Sequence, residues 1–165
     1  MFLALFDAHV GYERNSSRHK VSLHDEKAIG AALAFAADFK PDHVILGGDM
    51  LDCGAISHHN HNKPGAVEGL RLLADAKELA TDVIKPLEGA AGKGRLIYHI
   101  GNHEDWLSDL TDQIPALEDI VDIKTLQHLL AARAVRLPHG HPCVGDDAIA
   151  PAHRLRRIAA VADSA

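Results

Sequence analysis

The sequence predicts an α/β fold with a mainly parallel sheet. Three observations carry this. Short apolar, partly β-branched runs stand at 2–6, 44–46 and 96–100. Segments with helical apolar spacing lie between them, near 22–40 and 65–85. Each apolar run opens into a polar loop that contains Asp, Gly or Asn together with His or further Asp. Strands alternating with helices imply crossover connections, which join parallel strands.

Taken in order, residues 2–6 read as a buried strand ended by Asp7, with a loop over 7–20. The first helix is expected near Ser22, because Ser22 and Asp25 have capping-box spacing. Ile29, Leu33 and Ala36 give it an apolar stripe, and Pro41 stops it. Residues 44–46 are too short and too branched for a helix and read as a strand. A loop from Gly47 to Pro64 leads to a second helix, 65–85, whose apolar face is Val67, Leu70, Leu73, Ala76 and Ala80. Pro86 and the glycine-rich 89–94 are expected to end it. Residues 96–100 form the third strand, and 101–105 its loop. Further on, Asp122 is a candidate cap for a helix at 123–133. Short strands are expected at 135–137 and 143–144, and a basic amphipathic helix at 154–162.

The chain has 165 residues, which suits a single domain over 1–165. Hydrophobic residues make up 47% and charged residues 24%, enough apolar material for a core. A net charge of −6 gives no broad footprint for nucleic acid, although a local cationic metal site binds phosphate on an acidic protein. Two cysteines, Cys53 and Cys143, are too few for a disulfide framework. No segment is apolar for long enough to span a membrane. The apolar start is too short for a signal peptide and lacks a basic end, so a cytoplasmic location is expected. Histidine is abundant, at 13 residues.

The strand ends carry the chemistry. Asp7-Ala8-His9 follows the first strand, Gly48-Asp49-Met50-Leu51-Asp52 the second, and Gly101-Asn102-His103-Glu104 the third. In parallel sheets ligands gather at the carboxyl ends of strands. Carboxylate, imidazole and amide donors without clustered thiolates suit Mn, Fe, Zn or Ni. Two such ions about 3.5–4 Å apart clamp a phosphoryl group and acidify a shared water.

D-x-H, then G-D-x-x-D, then G-N-H-E, each after an apolar strand, resembles the calcineurin-like metallophosphoesterase superfamily over residues 1–105. The resemblance implies an αββα sandwich and hydrolysis of a phosphoester by a two-metal site with a bridging hydroxide. It implies Asp7 and His9 as ligands of the first metal and Asp49 as the bridge. Asn102 would ligate the second metal and touch phosphate, and His103 would act as the acid. Asp52 and Glu104 would orient histidine side chains. The implied partner is a phosphoester substrate, with nucleotides and nucleic acid among the options.

The chain departs from the family pattern twice. Cys53-Gly54 follows Asp52 where the protein-phosphatase branch has Arg-Gly, so the phosphate-gripping arginine is missing. No G-H-x-H is present: Gly140-His141-Pro142-Cys143 has Cys in place of the second His. Among the later histidines His153 fits a metal ligand better than His139, because it follows an expected strand at 148–149. The sandwich is therefore expected to be truncated in its C-terminal sheet, which would favour self-association. The alternative function is a degenerate family member that binds metal weakly without turnover.

Other residues have bland readings that compete with sharp ones. For His58-His59-Asn60-His61 a solvated loop is favoured over a ligand cluster. For Trp106 packing is favoured over a substrate wall. Cys53 reads as a small filler, His99 as a core or edge residue, and Arg154, Arg156 and Arg157 as a solvated face.

Overall fold

The computed structural model describes residues 1–60 and 62–117 and the backbone of a strand at 135–137. Its elements are β1 (Phe2–Leu5), β2 (Tyr12–Arg14), β3 (Lys20–Ser22), α1 (Glu26–Phe39) and β4 (His43–Leu46). There follow α2 (Pro64–Val67), α3 (Leu72–Glu78), a π-helical stretch (Leu79–Ile84) and α4 (Lys85–Ala91). The last are β5 (Arg95–His99), α5 (Asn102–Gln113) and β6 (Val135–Leu137). The chain is thus an α/β protein. Its main sheet has the order β1-β4-β5-β6, and every neighbouring pair is parallel. The expected strand at 135–137 is β6.

The register explains the core. Leu3, Val44 and Leu96 are aligned, as are Leu5, Leu46 and Tyr98. Side chains alternate across a strand, so these two rows share one face. They pack with Ile29 and Leu33 of α1 and with Leu79, Val83, Ile84 and Leu87 of the later helical segment. Val44, Leu46 and Leu87 are fully buried.

Four expectations are corrected. The loop at 7–20 contains the antiparallel hairpin β2–β3. Its turn is built by Asn15, whose Oδ1 accepts from Ser17 N and His19 N, both at 3.0 Å. Such local side-chain bonds make a turn that composition alone reads as loop. Ser22 therefore closes the hairpin, and Asp25 caps α1 instead, its Oδ1 accepting from Lys27 N and Ala28 N at 3.0 Å.

The expected helix 65–85 is interrupted. Gly69 takes a positive φ of 75°, and the break at 68–71 lies against the hairpin through Arg14, whose guanidinium donates to Glu68 O. The break resets the apolar face. Leu72, Ala76, Leu79 and Val83 are buried, whereas Leu73 is 51% exposed. The helical segment then runs past Pro86 and stops only at Gly92, with φ 61°. Proline lacks the N–H of a regular turn, and the widened π turn before α4 lets Pro86 stand in a first turn where no donor is needed. The fourth correction is that 102–105 is helix and not loop.

The expected helices at 123–133 and 154–162 and the strand at 143–144 lie outside the described residues. So do His61, His139, His141 and His153. Apart from the two-stranded β2–β3 sheet, no further sheet is found among the described residues. No helix among them is long and apolar enough to cross a membrane.

Asp75 of α3 is only 3% exposed. Burial pushes its carboxyl up to about 6, with Lys20 opposing and Glu78 adding to the rise. In the unfolded chain the group titrates near 3.8. Between these values the folded state holds the extra proton, so stability falls as pH rises towards 6, and the penalty is complete above it. Asp75→Asn is expected to stabilise the fold at pH 7.5 by about 2 kcal/mol, with the gain vanishing near pH 4. Urea melts of both proteins at the two pH values check this.

Candidate metal centre

The parallel register sets Leu5, Leu46 and Tyr98 side by side, so the segments after β1, β4 and β5 leave from one edge of the sheet. The first two stay laced together beyond the strands. Asp7 N donates to Gly48 O at 3.2 Å, His9 N to Asp49 O at 2.9 Å, and Val10 N to Met50 O at 2.8 Å. Asp52 N returns a bond to Val10 O at 3.0 Å.

The backbone here is unusual. Asp7, His9, Asp49 and Cys53 have φ of 53°, 47°, 50° and 56°. Left-handed backbone costs a non-glycine residue about 1–2 kcal/mol. Such strain persists where the surroundings over-determine it, and it clusters at functional sites.

These turns gather donors. Ligand atoms of Asp7, His9 and Asp49 all lie within 4.8 Å of one another, and so do those of His9, Asp52 and His103. His9 is common to both groups. The His9 and His103 rings meet edge to face at 4.5 Å. Asp52 Oδ1 stands 3.6 Å from Nδ1 of each imidazole. His103 Nδ1 is 2.7 Å from the Asp52 carbonyl. A carbonyl only accepts, so Nδ1 carries a proton and Nε2 is the nitrogen left to face another partner.

Asp49 is held from two sides. Its Oδ1 accepts from His103 N at 2.9 Å, serving as the cap that Gly101 cannot supply to α5. Its own N–H donates to Glu104 Oε2 at 3.1 Å. Gly101 is required by this packing, since a Cβ there would run into the Asp49 amide nitrogen and carboxylate. Gly101→Ala is expected to push Asp49 out of the cluster, and a metal held there would then bind about 10–100-fold more weakly, as with other changes behind metal ligands. Gly30→Ala, where a Cβ meets nothing, is the matched control. Metal titration of both variants tests this.

Asn102 is exposed and opens α5, beside His103. Glu104 differs from expectation. It is wholly buried, and its oxygens are taken by Leu51 N, Tyr98 Oη, Asp49 N and Gly101 N. It therefore fixes the loop bearing Asp49 and not a histidine. The signal for this was present in the sequence: Glu three residues after Gly101 has capping-box spacing. Tyr98, its partner, shows in the sequence only as a strand residue. Burial, reinforced by the nearby Glu104 and Asp52 carboxylates, pushes the Cys53 thiol up, so it stands as a neutral apolar filler.

Trp106 is half-buried and packs against the core, as favoured from the sequence. It also stacks on His103, with ring centres 4.2 Å apart and planes inclined by 28°. No family model, curated protein or solved structure matches the chain.

Proposed function

We propose that the chain is a metal-dependent phosphoesterase of the calcineurin-like metallophosphoesterase type. The observation that carries this reading is the shared cluster of Asp7, His9, Asp49, Asp52 and His103 at one sheet edge. The donor set is imidazole nitrogen and carboxylate oxygen with no thiolate, which fits Mn, Fe, Zn or Ni. Asp7, His9 and Asp49 would hold one ion, and Asp49 with Asn102 a second. His153 is the proposed late ligand. Bound divalent ions supply charge neutralisation for a phosphoryl group and acidify water.

The chain's own residues supply the rest. His103 Nδ1–H is engaged by the Asp52 carbonyl, so a doubly protonated ring would give its Nε2 proton to the departing oxygen and be left neutral with the proton on Nδ1. The Asp52 carboxylate sits between both imidazoles, 3.6 Å from Nδ1 of each. The same reading implies an αββα sandwich as the fold.

The test is metal content per chain together with Mn²⁺-stimulated hydrolysis of aryl phosphate mono- and diesters. About two ions per chain with turnover is the expected result. Near-zero metal and no turnover with any divalent ion would overturn the proposal and leave the degenerate-member alternative.

A further inference from the structure

We infer that Trp106, His58 and His59 form a preset ring wall that selects phosphoesters carrying a flat aromatic group, whether nucleobase or simple aryl. The inference rests on the phosphoesterase reading and gives it a substrate class. Its basis is a continuous run of rings leading outward from the ligand cluster. His9 meets His103 edge to face at 4.5 Å, and His103 stacks on Trp106 at 4.2 Å. Trp106 in turn meets His58 at 5.3 Å and His59 at 5.8 Å, both near perpendicular. The His58 and His59 rings are 3.9 Å apart.

Core packing accounts for Trp106 alone. It does not account for two exposed imidazoles gathered about the indole, because burial gives them nothing there. Their placement is fixed by the backbone. The tight turn His58–Asn60 is pinned by Ser57, whose Oγ accepts from His59 N at 3.2 Å and whose carbonyl accepts from Asn60 N at 3.0 Å. Asn60 Nδ2 also donates to Gly54 O at 3.1 Å. A turn held in advance loses little backbone freedom when the rings it carries receive a ligand. A phosphate at the His9 and Asp49 end would leave its ester group lying along this wall. Aromatic faces stack any planar ring, and an aliphatic ester gains no such contact.

The chain has one tryptophan, so Trp106 reports the contact directly. The experiment titrates the full Mn²⁺-supplemented chain with AMP, phenyl phosphate and glycerol 2-phosphate, following tryptophan fluorescence and hydrolysis of each. AMP and phenyl phosphate are expected to quench saturably. Their kcat/KM should exceed that of glycerol 2-phosphate by about tenfold or more. AMP favoured over phenyl phosphate identifies a nucleobase site, and parity between them a general aryl site. In His58→Ala/His59→Ala, whose positions are exposed, and in Trp106→Leu, the aromatic-to-glycerol ratio should fall towards one. Glycerol 2-phosphate matching both esters in the wild type, or an unchanged ratio in the double histidine variant, would overturn the inference. Quenching without any turnover would sink the phosphoesterase reading and leave the wall. Turnover without preference would do the reverse.

Discussion

Asp49→Ala is expected to remove metal binding and hydrolysis together, with a loss well beyond the roughly 10–100-fold that changes behind a metal ligand cost. Asp49 belongs to the group formed with Asp7 and His9, and its Oδ1 also accepts from His103 N at 2.9 Å. Alanine deletes the proposed ligand atom and the cap of α5 at one stroke, and the lost cap costs about 1 kcal/mol of stability. Alanine also tolerates φ 50° less well than aspartate does. Asp49→Asn separates the two effects. Its amide oxygen can still accept from His103 N, and asparagine accepts the left-handed backbone. The asparagine variant should therefore melt near the wild type while its metal content and turnover collapse. If either variant kept wild-type metal content and rate, Asp49 would be a structural cap and nothing more.

Much of this arrangement was legible in the sequence. The three strands were visible because each is a short apolar run, and parallel pairing followed from the helices between them. The convergence of Asp7, His9, Asp49, Asp52 and His103 followed in turn, because parallel strands put all their carboxyl ends on one edge. What escaped were features decided by single polar side chains. Asn15 built a hairpin where composition indicated loop. Asp25, and not Ser22, capped α1, because Ser22 was already committed to β3. Pro86 did not end its helix, since a π turn removed the conflict with its missing N–H. Glu104 was read as a partner for histidine. Capping-box spacing points to the Gly101 N–H alone, and no spacing rule shows that the same carboxylate also takes Asp49 N, Leu51 N and Tyr98 Oη.

Glu104 has the largest expected effect on the fold itself. It is fully buried and accepts four hydrogen bonds. Oε1 takes Leu51 N at 2.9 Å and Tyr98 Oη at 2.8 Å. Oε2 takes Gly101 N at 2.9 Å and Asp49 N at 3.1 Å. Glu104→Ala strands four donors, each costing about 1–3 kcal/mol when unpaired, a total comparable to the entire stability of a small domain. Little folded protein is expected. Glu104→Gln is more discriminating, because its amide nitrogen must face one pair of donors. Facing Gly101 and Asp49 it would oppose two backbone N–H groups, neither of which can turn away. Facing Tyr98 and Leu51 it opposes only one, since the tyrosine hydroxyl can rotate and accept instead. The second orientation should win, with a net cost of about 1–3 kcal/mol for the single stranded Leu51 N–H. That orientation makes Tyr98 the residue on which the glutamine variant depends. Burial, and then Glu104, hold the Tyr98 phenol well above its ordinary range, so in the wild type it donates at every working pH. Tyr98→Phe should then be non-additive with Glu104→Gln, and a double-mutant cycle by urea denaturation measures the coupling. Strict additivity, or a well-folded Glu104→Ala, would show that the carboxylate does not tie the Asp49 loop to the head of α5.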